Sequence, residues 1–194
     1  MGQVLDRTPN TRSRNAAATR DGILSTAREL FARDSYDDVG MRDIARKAGV
    51  DPALIHRYFG TKEDLFAATL DSCKVQHDLF SGPRDTFGRR LAEQIVHEPK
   101  SGMKLLGVQI MLRSIGSAKA TDIVQSSARV DFFEPFESWL GGPDASLRVR
   151  ILAGLMMGMK ISRELDGGFG LPEEDSSQLC DRLAVLIQSV VDDR

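Results

Sequence analysis

The feature that most constrains this chain is a run of helix start and stop signals between residues 41 and 65, MRDIARKAGVDPALIHRYFGTKEDL. Met41, Ile44 and Ala45 recur at helical spacing over only eight residues, and Gly49 follows, where a left-handed backbone costs little and the chain can turn sharply. Asp51 is then placed to cap free amides, and Pro52, at the first helical position, forfeits no hydrogen bond. That second helix stops at Gly60. Thr61 opens a third, with Asp64 three residues on as a relative of the capping box, and it runs to about Lys74. Helix, glycine turn, helix is the form of a helix-turn-helix. Ala45 is small enough for the two helices to cross closely, and Ile44, Val50, Leu54 and Ile55 supply the shared apolar contact. Ala53, His56, Arg57 and Tyr58 are left on or near the outer face.

The rest of the chain carries helical periodicity and no strand signal. Residues 1–16 lack apolar spacing and read as a disordered basic arm with Arg7, Arg12 and Arg14. Ile23, Ala27, Leu30 and Phe31 mark a first helix from about Ala17 to Arg33. Behind residue 75, helices are expected at about 85–96, 103–115, 121–140, 145–165 and 173–191, separated by glycine- and proline-containing breaks, with Pro135 kinking or restarting the third of them. The expected fold is all-α with about nine helices: a helix-turn-helix domain over 17–75 and a larger helical domain over 76–194.

Several function classes are excluded by what the sequence lacks. ILAGLMMGM at 151–159 is too short to span a bilayer, and no apolar core follows the N-terminal arginines, so neither a membrane protein nor a secreted one is expected. Cys73 and Cys180 sit at no metal or redox spacing, which fits a reducing cytoplasm. His56, His77 and His97 form no metal-ligand pattern, and GGFG at 167–170 precedes Leu171 and Pro172 as a turn, not a phosphate loop. Neither an enzyme nor a cofactor is expected. Net charge is −2 overall, yet Arg42, Arg46, Lys47, Arg57 and Lys62 recur through the opening third, so a local basic surface is compatible with an acidic whole.

A helix bearing short and polar side chains fits the major groove of DNA, where base edges are distinguishable. Arg57 suits a guanine edge, His56 a base or phosphate, and Tyr58 a phosphate oxygen. Lys62, in the first turn of the next helix, would join its free amides in holding a phosphate. The A-x-x-L-F of Ala27 to Phe31, R-D-I-A at 42–45, A-G-V at 48–50 and Y-F-G-T-K-E-D-L at 58–65 make this specific. Over residues 23–70 the chain resembles the N-terminal domain of the TetR (tetracycline repressor) family of bacterial transcription regulators. The resemblance implies an all-helical homodimer, binding a near-palindromic double-stranded operator, with a variable ligand-binding and dimerising body. It puts Arg42, Ala53, His56, Arg57, Tyr58, Thr61 and Lys62 at DNA-facing positions. One departure is Val39-Gly40 before the second helix, where the family often has a capping Ser or Thr. A regulator without a small-molecule effector, and a structural helical interaction protein, are the alternative readings.

In the body, Leu147, Ile151, Leu155 and Met159 form a stripe, with Gly154 and Gly158 four apart on the same helix. Leu179, Leu183, Ile187 and Val190 form another on the last helix. Paired, Leu147, Ile151, Gly154, Leu155 and Gly158 with Leu179, Leu183, Ile187 and Val190 would make a four-helix dimer interface. Met103, Met111, Phe132, Phe136, Met156 and Met159 are candidates to line an adaptable pocket for a small apolar or amphipathic effector.

Overall fold

A computed structural model describes residues 11–74, 79–97, 102–165 and 167–193, with the side chains of all but 11–14 and 102–105. Among them are ten α-helices and no strand: α1 (Thr11–Arg33), α2 (Met41–Ala48), α3 (Pro52–Phe59), α4 (Lys62–Ser72), α5 (Phe87–Val96), α6 (Gly102–Ser114), α7 (Ala118–Ala128), α8 (Glu134–Leu140), α9 (Ala145–Leu165) and α10 (Glu173–Asp192). The all-α expectation holds. None of the described helices is long and apolar enough to cross a membrane.

Two boundaries differ from the sequence reading, each for a local reason. α1 begins at Thr11, not about Ala17, because Ala16, Ala17 and Ala18 favour helix without supplying an apolar face. Residues 11–16 of the expected arm are therefore helical; residues 1–10 lie outside the described residues. The helix expected at 121–140 is split by one π-turn, Arg129–Phe133, in which the Glu134 amide donates to the Arg129 carbonyl. Pro135 follows at once. It has no N–H to give and its ring crowds the carbonyl four residues back, and a widened turn relieves both.

The chain divides into two compact units, one running to Lys74 and taking in Gln109–Val124, the other comprising the remainder. The segment 109–124 was expected with the second domain and groups instead with the first. The first unit buries Ile23, Ala27, Leu30 and Phe31 of α1 against Ile44 and Ala45 of α2, Ile55 of α3, and Leu65 and Phe66 of α4. Phe66 meets the rings of Phe31 and Tyr36 edge-on, both at 4.9 Å between centroids.

The second unit is built on α5 and α10. Phe87, Leu91 and Ile95 pack against Leu183, Ala184 and Ile187, and Gly88 makes the contact close: a Cβ there would meet the Ala184 carbonyl oxygen and the backbone of Gln188. Gln188 completes the crossing, its Oε1 accepting from the Gly88 amide at 2.8 Å and its Nε2 donating to the Arg84 carbonyl at 3.1 Å. Buried Arg148 donates to Asp144, to the Gly141 carbonyl and to the Val191 carbonyl, and Arg84 reaches that same Val191 carbonyl. Two cations thus satisfy the C-terminal end of α10, where the helix dipole favours them.

These contacts redistribute the expected interface and pocket residues. Leu183 and Ile187 are 5% and 0% exposed, and Leu179 and Val190 pack against the same core. Leu183 and Ile187 therefore face α5 within their own unit, while Leu179 and Val190 stay partly exposed at its edge. Leu155 likewise packs on that core. Leu147 and Ile151 are 63% and 58% exposed, and Gly154 and Gly158 face open space. On α10 the exposed apolar residues are Val185 and Leu186. Of the pocket candidates, Phe136 is fully buried, its ring 5.5 Å from that of Phe132, and Phe132, Met156 and Met159 pack, partly buried, against the same core. Met111 belongs to the first unit, and the side chain of Met103 lies outside the described residues.

Candidate nucleic-acid interface

The turn between α2 and α3 forms as its residues dictate. Gly49 adopts φ 67° and ψ 32°, and the amide of Val50 returns to the Ala45 carbonyl at 3.0 Å, closing the last turn of α2. Asp51 then accepts from the Ala53 amide at 2.8 Å, with Pro52 at the first helical position. At the other end, Gly60 takes φ 82° and ψ −111°, which a side chain would resist, and so ends α3 abruptly. Gly40, standing where a capping Ser or Thr would sit, makes no side-chain cap.

Ile55 and Phe59 are the buried face of α3; Ala53, His56 and Arg57 are exposed, and Tyr58 is half-buried beside Phe59. His56 Nδ1 lies 3.0 Å from the Gly60 carbonyl. A carbonyl only accepts, so Nδ1 carries the proton and Nε2 is left outward, an acceptor in the neutral ring and a donor in the charged one. Arg42 is exposed on α2.

The start of α4 is more occupied than the sequence suggested. Thr61 and Asp64 form a complete capping box: the Asp64 amide donates to Thr61 Oγ1 at 3.1 Å and the Thr61 amide to Asp64 Oδ2 at 3.0 Å. Lys62 does not extend freely outward. Its ammonium sits 4.2 Å from the centre of the Tyr36 ring, and burial lowers its pKa against the raising effect of Asp37, Glu63 and Asp38. Burial also pushes the Tyr36 phenol up to about 12, so the ring stays neutral and the contact is cation–π, not an ion pair.

The Thr61 hydroxyl and amide together hold the Asp64 carboxyl below its ordinary value. Such a group stabilises the fold fully above its unfolded pKa, and that contribution disappears as pH falls through the depressed folded one. The difference in Tm between wild type and Asp64→Asn should accordingly shrink on acidification from about pH 6 to about pH 2. A difference constant over that range would mean that the capping carboxylate is not ionised in the folded protein.

The charges of the first unit sort themselves. Arg33, Arg46, Lys47, Lys74 and Lys119 each pair with a carboxylate at 2.6–2.9 Å. Arg28 donates to Ser72, and Arg113 acts electrostatically on Asp34. Among the described residues of this unit, Arg42 and Arg57 are exposed without a carboxylate or hydrogen bond, as is Arg20, whose guanidinium lies 5.0 Å from the centre of the Phe59 ring. Sequence reasoning also missed Ser117 and Lys119. They attach the 109–124 segment to the head, Ser117 Oγ donating to Asp37 at 3.0 Å and Lys119 pairing with Glu63 at 2.9 Å. Both partners are more than fifty residues away in the chain, and no local pattern marks them.

Residues 23–69, which hold α2, α3 and the start of α4, match the profile of bacterial regulatory proteins of the tetR family, and residues 85–191 match a tetracyclin repressor-like C-terminal domain. This chain belongs to the tetR family. The helix-turn-helix-type transcriptional regulator EthR of Mycobacterium tuberculosis is 27% identical over 117 residues, covering 60% of this chain and 51% of EthR. The regulator BetI of Rhizobium meliloti is 62% identical over 53 residues, covering 27% of this chain and 26% of BetI. The chain thus spans about half the length of EthR, and the strongest identity is concentrated in a short stretch. In fold it is similar to NalD, the secondary repressor of the MexAB-OprM multidrug efflux pump in Pseudomonas aeruginosa, with a TM-score of 0.68 over 87% of this chain and 95% of that one at 20% identity. A TetR-family regulator from Streptomyces coelicolor aligns over 97% and 99% with a TM-score of 0.55 at 24% identity.

Proposed function

We propose that the protein is a sequence-specific DNA-binding transcriptional regulator, acting as a homodimeric repressor. The observation that carries this reading is the face of α3, where Ala53, His56 and Arg57 stand exposed on a short helix whose turn and end are fixed by Gly49, Asp51 and Gly60. Arg57 suits a guanine edge and Arg42 a phosphate, since neither is committed to a carboxylate. Thr61, Tyr58 and Lys62 flank them, with Lys62 having to leave the Tyr36 ring before it can reach a phosphate.

The dimer would form on the outward stripe of α9, Leu147, Ile151, Gly154 and Gly158, with Val185 and Leu186 of α10. Two heads would then address half-sites about 34 Å apart, one turn of DNA. Release by a small apolar effector bound in the second unit follows from linkage: a ligand that favours a head spacing unfit for DNA weakens DNA binding by the factor that DNA weakens its own. Ser117 and Lys119 support this coupling, because they tie a segment continuous with α6 to the head.

Selection of bound sequences from a random duplex library tests the reading. An inverted repeat is the expected result, with affinity falling as salt rises. Retention without any enriched sequence would overturn it.

A further inference from the structure

Arg20 stands on the apolar stripe of α1, one turn before buried Ile23 and Leu24, and yet it is exposed. A charged residue there lies where the core meets solvent, with its side chain leaning back along the helix. Its guanidinium covers Phe59, the last residue of α3, which is itself 8% exposed and directly precedes Gly60 and the cap of α4. That contact uses the charge of the guanidinium and leaves its N–H donors uncommitted among the described residues. Among the described side chains of this unit, Arg33, Arg46, Lys47, Lys74 and Lys119 pair with carboxylates, Arg28 is hydrogen-bonded, Arg113 acts on the Asp34 charge and Lys62 is seated on Tyr36; Arg42, Arg57 and Arg20 are exposed without any carboxylate or hydrogen bond. Two of these three already belong to the DNA-facing set, and the third is seated on the end of α3.

We infer that Arg20 is a further DNA-binding residue, a phosphate contact supplied by α1 that positions the C-terminal end of α3 against the backbone of the duplex. The inference rests on the DNA-binding reading. Phe59 sets the guanidinium in place, so the donors are pre-positioned and not drawn from a freely moving side chain. Because Arg20 is tied to the end of α3 and not to its groove-facing residues, the contact is independent of base sequence.

The test titrates full-length wild type, Arg20→Ala and Arg20→Lys onto the inverted-repeat duplex enriched from a random library and onto a scrambled duplex of equal length, at several salt concentrations. Arg20→Ala should weaken both duplexes by the same factor, roughly 5- to 20-fold, and reduce the slope of log affinity against log salt by about 0.9 for each head engaged. Arg20→Lys should restore the slope. Thermal unfolding of each variant fixes a temperature at which all are folded. Unchanged affinity and slope in Arg20→Ala would overturn the inference and make Arg20 a packing residue. A loss confined to the enriched duplex would overturn it in favour of base reading. Wild type that binds neither duplex would remove the DNA-binding reading itself, an outcome distinct from both.

Discussion

Gly88→Ala is expected to lower the Tm by roughly 6–12 °C. The added Cβ would meet the Ala184 carbonyl and the Gln188 backbone, neither of which can rotate aside. α5 and α10 would have to separate along the whole contact of Phe87, Leu91 and Ile95 with Leu183 and Ile187, and overpacking of this kind costs about 1–3 kcal/mol. Separation would also stretch the 2.8 Å bond from the Gly88 amide to Gln188, worth about 1 kcal/mol. Gly154→Ala and Gly158→Ala make the comparison sharp. Both glycines face open space, and alanine is the better helix former by about 1 kcal/mol, so the folded chain should tolerate or welcome either change. Thermal unfolding with sedimentation of the same samples separates the effects. A Gly88→Ala protein as stable as wild type would mean that the two helices are not held at this distance in solution.

That contrast shows where sequence reasoning stopped. Periodicity identified Leu183 and Ile187 as one face of a helix, and they are one face. It could not say that α5 covers them, because the partner lies some ninety residues away and any apolar stripe fits either a core or a second subunit. Spacing drew attention to Gly154 and Gly158, four apart and conspicuous; the glycine that permits close helix approach within the second unit is Gly88, single and unmarked by spacing. Local chemistry was legible throughout. The left-handed turn at Gly49, the cap at Asp51, the box of Thr61 and Asp64, and the break before Pro135 are each decided by a few adjacent residues.

The site divides along the same line. Exposure of Ala53, His56 and Arg57 follows from helical spacing once Ile55 and Phe59 are taken as the buried face. Lys62 on Tyr36 and Arg20 on Phe59 do not follow, since each joins residues from different helices. Arg46 and Lys47 looked as basic as Arg42 and Arg57 in the sequence, and the fold distinguishes them: Asp43 and Glu29 hold the first pair.

This distinction predicts a graded response in DNA binding. Arg57→Ala is expected to weaken an enriched duplex by roughly 10- to 100-fold, the 1–3 kcal/mol of about one bidentate base contact, and to relax the preference at one base pair in each half-site. Arg42→Ala should weaken all sequences alike and lower the salt slope, as loss of a phosphate contact does. Arg46→Ala should change little, since its guanidinium is 2.6 Å from Asp43 on an exposed surface and such a pair contributes about 0–1 kcal/mol. The measurement is fluorescence anisotropy on the enriched duplex and on single-base variants of it. If Arg57→Ala reduced binding equally on every variant, Arg57 would be gripping the backbone, and base reading would pass to His56 and Ala53. If Arg46→Ala matched Arg57→Ala, ion pairing in the free protein would not predict which arginines reach DNA, and the argument that singles out Arg42, Arg57 and Arg20 would fail with it.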